Sequence, residues 1–92
     1  AFFFRMIYRV HIWGNLLTGE EVYGIQGQAA KGDRFQHVAD EIGGKLRALI
    51  YTTRERAAEV VAILQSGLGG HDIADGLVPF GDQTWRGPAL KP

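Results

Sequence analysis

Hydrophobic and polar residues alternate in the N-terminal stretch "RMIYRVHIW", residues 5–13. Its even positions are all apolar, whereas its odd positions hold two arginines, an isoleucine, a histidine and a tryptophan. Side chains of a strand point alternately to its two faces, so this pattern predicts a strand with one apolar face and one face rich in arginine and aromatic rings. We place this first strand at residues 2–13.

A second strand is predicted at "EVYGIQGQA", residues 21–29, after a turn that contains glycine and asparagine. Because the two strands are separated by a short connection, we expect them to form an antiparallel hairpin. Gly24 and Gly27 interrupt the second strand, and glycine at such positions suits a bulge or the close approach of another part of the chain.

Residues 33–42 show the spacing of an amphipathic helix. Apolar residues recur there at i, i+3, i+4 and i+7, namely Phe35, Val38, Ala39 and Ile42. Asp33 is suited to cap the N-terminus of such a helix, and the glycine pair at 43–44 is suited to end it. We therefore predict the first helix here.

The C-terminal half predicts a strand, a second helix and a short edge strand. The strand "KLRALIYT" (45–52) places Leu46, Ala48 and Ile50 on one face and Arg47, Leu49 and Tyr51 on the other. The helix is expected at 52–68, because Thr52 and Glu55 have capping-box spacing and an apolar stripe follows them. This stripe consists of Ala57, Val60, Val61, Leu64 and Leu68. The short strand is "GLVPF" (76–80), which its proline confines to a sheet edge.

The expected order is therefore ββαβα plus a short last strand, in a single α+β domain over residues 1–80 with an irregular tail at 81–92. We predict a two-layer sandwich in which a mixed sheet of three or four strands carries both helices on one face. The segment "LRALIYTTRERAAEVVAILQSG" resembles the strand-then-helix half of ferredoxin-like modules, including peptidoglycan-binding SPOR repeats, and implies a fold of ferredoxin-like character. The chain is not assigned to a family. The expected core consists of Tyr8, Val10, Ile12, Ile25, Phe35, Val38, Ile42, Leu46, Ile50, Val60, Val61 and Leu64.

Composition narrows the possible functions. The 92 residues include ten basic and ten acidic side chains, so the chain lacks the cationic excess of a dedicated DNA-binding protein. Cysteine is absent, which excludes disulfides, thiolate nucleophiles and cysteine zinc sites and favours a cytoplasmic location. The apolar opening segment is too short to span a bilayer, and we expect no membrane association.

The sheet face opposite the helices is the predicted binding surface. If the apolar side of the first strand packs on the helices, the other side of the sheet is exposed, and it carries residue types that are enriched at protein interfaces. We expect the contact residues to be Arg5, Arg9, His11, Trp13, Arg47 and Tyr51. Three consecutive phenylalanines at 2–4 extend this apolar surface. A protein partner or a second copy would cover it, or the C-terminal tail would fold back over it with Trp85 and Leu90.

The same residue types also suit two other kinds of function. The arginines and aromatic rings also suit single-stranded nucleic acid, above all RNA, which stacks on such faces. An enzyme would use His71, Asp72 and Asp75 in the loop "GGHDIADG" as acid–base groups, although Asp and Gly in loops more commonly form turns. The only serine, Ser66, does not follow a strand as a nucleophile elbow requires.

A metal site is a further alternative. Asp33, His37 and Glu41 would share one stripe of the first predicted helix, with Asp40 beside them. Such a set is common on a solvated helix face, and we expect no metal and no cofactor. The sequence therefore predicts a small non-catalytic protein-binding module, an adaptor, inhibitor or subunit, that also forms a homodimer.

Overall fold

A computed structural model of the chain describes residues 6–14, 21–67 and 72–78. The described residues form a small α+β fold of six strands and one helix. The elements are β1 (Ile7–Gly14), β2 (Glu21–Gln28), β3 (Gln36–His37), β4 (Ala39–Ile42), β5 (Lys45–Ala48), β6 (Ile50–Tyr51) and α1 (Arg54–Ser66). Every strand pair among them is antiparallel, so the predicted mixed sheet is wrong for this part of the chain.

Strand β2 is the centre of the main sheet, which has four strands. On one edge it pairs with β1 in a register that runs from Ile7 opposite Gln28 to Gly14 opposite Glu21. The predicted hairpin is therefore confirmed. The other edge of β2 pairs with two short strands, β3 and β6. Strands β4 and β5 form a separate two-stranded sheet.

A ring of three backbone hydrogen bonds joins the strands where the two sheets separate. Ile25 N donates to Leu49 O (3.0 Å), Leu49 N donates to Val38 O (2.9 Å), and Val38 N donates to Ile25 O (3.0 Å). All three residues are buried. This three-way junction satisfies the main-chain groups of the branch point in a place that water does not reach.

The helix predicted at residues 33–42 is wrong, because this segment forms β3 and β4. The chain passes from the main sheet to the small sheet at the three-way junction, so the consecutive residues Val38 and Ala39 are both buried. Adjacent buried residues break the strand alternation and imitate helical spacing. Gly43 and Gly44 have φ of 62° and 80° and form the β4–β5 hairpin turn, since two-residue type I′ turns need positive φ at both positions.

The other helix is confirmed as α1, with a shifted start. Thr53, not Thr52, is the N-cap, and its hydroxyl accepts a hydrogen bond from Arg56 N (3.2 Å). Gly67 ends the helix in the left-handed conformation, with φ of 70°. No helix in the described ranges is long and apolar enough to cross a membrane. Only one helix, not two, therefore covers the sheet in this part of the protein.

The core lies between α1 and the main sheet. Its buried members are Ile25, Val38, Leu49, Tyr51, Ala57 and Val60, and its partly buried members include Tyr8, Val10, Tyr23, Ile42, Val61, Leu64, Ile73 and Leu77. Much of the predicted core is thus confirmed, but Ile12 is 44% exposed. The predicted faces of residues 45–52 are reversed, because Leu49 and Tyr51 point into the core in place of Leu46 and Ile50.

The short strand predicted at 76–80 is present in part. Leu77 forms a single antiparallel bridge with Tyr51, and Val78 N donates to Ile50 O (3.0 Å). Residues 79–80 and the tail at 81–92 lie outside the described residues, as do Leu68 and the start of the first predicted strand at residues 2–5.

Candidate functional site

The odd-numbered residues of β1 lie on the sheet face opposite α1. Tyr8 and Val10 pack into the core beside the helix, so their neighbours along the strand point the other way. We call this surface the open face, because the described elements place no second layer on it. Its residues are Ile7, Arg9, His11 and Trp13 of β1, Gln26 of β2, and Phe35 and His37 at β3.

Trp13 lies directly against the backbone of β2 at Gly24. A Cβ atom on that glycine would be 2.5 Å from Trp13 Nε1, so only glycine leaves room for the indole in this position. The indole N–H is buried and has no hydrogen-bond partner in the part of the chain that the structure describes. Gly24 is therefore required for close approach, one of the two roles expected from the sequence, while the uninterrupted register excludes a bulge there.

Two histidines complete an aromatic cluster with Trp13. The His37 ring centroid is 4.7 Å from that of the indole, and the His11 ring meets the indole edge-on at 5.2 Å. Burial lowers the pKa of His37 below its ordinary value of 6.5, and the nearby His11 lowers this pKa further. Burial in the cluster therefore favours the neutral form of the His37 ring.

Arg9 is the cationic part of the open face. Its Nε donates to the Oε1 atom of Gln26, the residue directly opposite on β2, at 3.0 Å. Its guanidinium carbon lies 3.7 Å from the centre of the Phe35 ring. The side chain is exposed, and no described residue accepts a hydrogen bond from its terminal nitrogens. Arg9 is thus held over the sheet with donors directed to the surroundings.

Tyr51 and Arg47, both predicted on this face, lie elsewhere. Tyr51 is fully buried in the core, where its hydroxyl donates to Ile73 O (2.6 Å) and where burial raises its pKa. Arg47 belongs to the small β4–β5 sheet, and its Nη2 donates to Val78 O (3.1 Å). The predicted placement is wrong because pairing with β2 turns Tyr51 toward the helix. Arg5 lies outside the described residues.

The loop proposed for acid–base chemistry is tied to α1 by Arg56. This side chain donates to the main-chain oxygens of Asp72 (2.8 Å) and Asp75 (2.7 Å). The Asp72 carboxylate accepts from Ala74 N (2.9 Å), which is a turn-forming bond. His71 lies outside the described residues, so the catalytic arrangement stays a prediction.

The residues considered for a metal do not share a helix. Asp33 is in the turn before β3, His37 is on β3 and Glu41 is on β4. Within the ranges that the structure describes, no group of three His, Asp or Glu residues is arranged to hold a metal ion.

Three members of the open face were missed from the sequence, namely Gln26, Phe35 and His37. Gln26 is directly opposite Arg9 in the hairpin, so the hairpin register would have revealed it. Phe35 and His37 were predicted to lie on a helix that the structure does not contain. The glycine pair at 43–44 is also typical of a hairpin turn, and a hairpin at this place would have indicated strands on both sides of it.

Comparisons with protein families, curated proteins and solved structures found no match.

Proposed function

We propose that the chain is a small non-catalytic protein-binding module whose contact surface is the open face, and that self-association is one form of this binding. The main support for this proposal is that contacts within the sheet hold Trp13 and Arg9 in fixed positions. The described structure places no second layer over the sheet face on which they lie. A surface of this kind is typical of interaction sites.

Trp13 supplies the apolar centre of the surface. Packing against Gly24 and His37 restrains the indole before any partner binds. A restrained aromatic side chain loses little rotational freedom on binding, so more of its contact energy contributes to affinity. Tryptophan is also among the residue types most often found as binding hot spots.

Arg9 supplies directional contacts beside that centre. Its bond to Gln26 and its position over Phe35 fix the guanidinium group, and no described residue accepts a hydrogen bond from its terminal nitrogens. Arginine held in this way suits a carboxylate or a main-chain carbonyl of a partner.

Single-stranded nucleic acid is the second candidate, and a specific observation supports it. The aromatic cluster offers a surface on which bases can stack, and Arg9 beside it offers a positive charge for a phosphate group. The balanced charge of the chain favours a protein partner.

The test compares Trp13→Ala and Arg9→Ala with the wild type by light scattering over a range of protein concentrations. Arg54→Ala is the matched control, because Arg54 is an exposed arginine near Tyr23, away from the open face. We expect the two open-face variants to weaken self-association about tenfold or more, the effect of a hot-spot residue, while the control does not.

Binding of a labelled single-stranded oligonucleotide is measured on the same variants. Binding that is lost with added salt and in Arg9→Ala would replace the protein-binding proposal with the nucleic-acid one. Association that is unchanged in both open-face variants would refute the role of this face.

A further inference from the structure

The free edge of β1 is separate from the open face and has its own properties. β1 is the outermost of the described strands in the main sheet. Successive residues of a strand direct their N–H and C=O groups to opposite edges, so every second residue of β1 faces away from β2. Tyr8 is one of these residues, because its N–H bonds to the helix and not to β2.

Gln65 of α1 occupies the first part of this edge. Its Oε1 accepts from Tyr8 N (3.1 Å) and its Nε2 donates to Met6 O (2.9 Å). The side-chain amide therefore makes the same pair of bonds that a neighbouring strand would make. Pairing of another strand with β1 is blocked up to Tyr8.

The edge beyond Tyr8 is open in the described structure. By the same alternation, the main-chain groups of Val10, Ile12 and Gly14 point outward, and no described residue hydrogen-bonds to them. Natural edge strands are commonly protected by charged residues, proline or a bulge. Residues 10–14, "VHIWG", contain no Asp, Glu, Lys, Arg or Pro, and the β1–β2 register is uninterrupted.

We propose that this edge pairs with the same edge of a second copy, antiparallel, with the two-fold axis at Ile12. Ile12 is the midpoint of the open stretch, so this register uses all three outward residues of each copy and leaves Gln65 in place. Val10 then faces Gly14 of the second copy, and the two Ile12 side chains become neighbours. The two four-stranded sheets join into one.

The exposed side chain of Ile12 and the neutral net charge both favour a second copy as the occupant. Ile12 is 44% exposed, and its counterpart across the axis would cover it. Two neutral chains do not repel each other over a distance. This inference deepens the proposed function, because it names the partner, but it uses the main chain of β1 and not the side chains of the open face.

Cysteine cross-linking tests the register directly, since the chain has no cysteine of its own. Ile12→Cys is compared with Ile7→Cys, a matched control because Ile7 is 47% exposed on the same strand. Residues opposite each other in a hydrogen-bonded antiparallel pair have Cα atoms about 5.5 Å apart, within disulfide range. We expect Ile12→Cys to form a reducible dimer about tenfold faster than Ile7→Cys. Equal rates would refute the two-fold pairing.

Charge substitution separates this inference from the proposed function. We expect Ile12→Lys to weaken the dimer about tenfold or more, because it sets two like charges side by side. Ala74→Lys adds the same charge at an exposed residue before Leu77, on the side of β6 and away from the edge of β1, and should leave the dimer unchanged. Circular dichroism and thermal melting of each variant establish that the fold is retained.

The outcomes are distinct. Loss of the dimer in Ile12→Lys alone supports the edge and refutes the open face as the self-association surface. Loss of the dimer in Trp13→Ala alone supports the open face as the self-association surface and refutes the edge. A wild-type monomer at every concentration overturns the edge dimer, and an extended peptide that binds the wild type but not Ile12→Lys would then identify a different strand as the occupant.

Discussion

The two faces of the β1–β2 hairpin use the same packing device in different surroundings. On the helix face, Gly27 of β2 lies under the ring of Tyr8, and on the open face Gly24 lies under the indole of Trp13. The first pair is enclosed by Val38 and α1, whereas the rings of His11 and His37 are the neighbours of the second pair among the described residues. An aromatic ring over a glycine thus stabilises the fold where it is covered, and where it is not, we propose that it serves as a fixed contact surface.

Truncating one side chain on each face should give the largest difference in the free energy of unfolding. Leu49→Ala, at the buried three-way junction, is expected to lower the free energy of unfolding by about 2–5 kcal/mol, because it leaves an enclosed cavity. Trp13→Ala should cost clearly less, since the half-buried indole leaves no enclosed space. Urea unfolding measures both values, and an equal cost would mean that the open face is covered in solution.

Adding a methyl group at each glycine gives the next largest effect. Gly27→Ala is expected to cost about 1–3 kcal/mol, because the new Cβ would lie 3.1–3.4 Å from Met6, Val38 and Tyr8 in a closed site. Gly24→Ala should cost less although its contact is shorter, since the indole can move outward. It should also weaken self-association and change the fluorescence of Trp13, measured with Trp85 replaced by Phe. A larger loss of stability in Gly24→Ala than in Gly27→Ala would contradict the comparison.

Acidification gives the smallest effect and concerns the open face alone. The pKa of His37 is lower in the folded protein than its ordinary 6.5, so the unfolded chain takes up the proton first as the pH falls. Stability should therefore decrease from pH 6.5 down to the folded pKa, and be independent of this group above pH 6.5. His37→Gln should reduce this slope, and His11→Gln should reduce it in part. Urea unfolding at several pH values measures the slopes, and an unchanged slope in His37→Gln would exclude this group as the cause.

Sequence patterns were informative where the structure is local. The alternation of β1, its hairpin with β2 and the apolar stripe of α1 could all be predicted, because each depends on neighbouring residues along the chain. The position of Arg9, His11 and Trp13 on the face away from α1 followed from the same alternation.

The region around Val38 could not be interpreted in this way. Val38 and Leu49 bond to each other and to Ile25, three residues that are distant in the sequence, and the chain changes sheets at this point. The change makes the consecutive residues Val38 and Ala39 both buried, and two adjacent buried residues imitate helical spacing.

The sequence by itself determined the strand alternation of β1, the extent of α1 to within two residues at each described end, and the chemical character of one surface. Only the tertiary structure decided which aromatic residues belong to that surface, removing Tyr51 and adding Phe35 and His37. The reason is physical: periodicity reports how side chains alternate along one segment, but pairing with β2 decides which alternate set faces the helix.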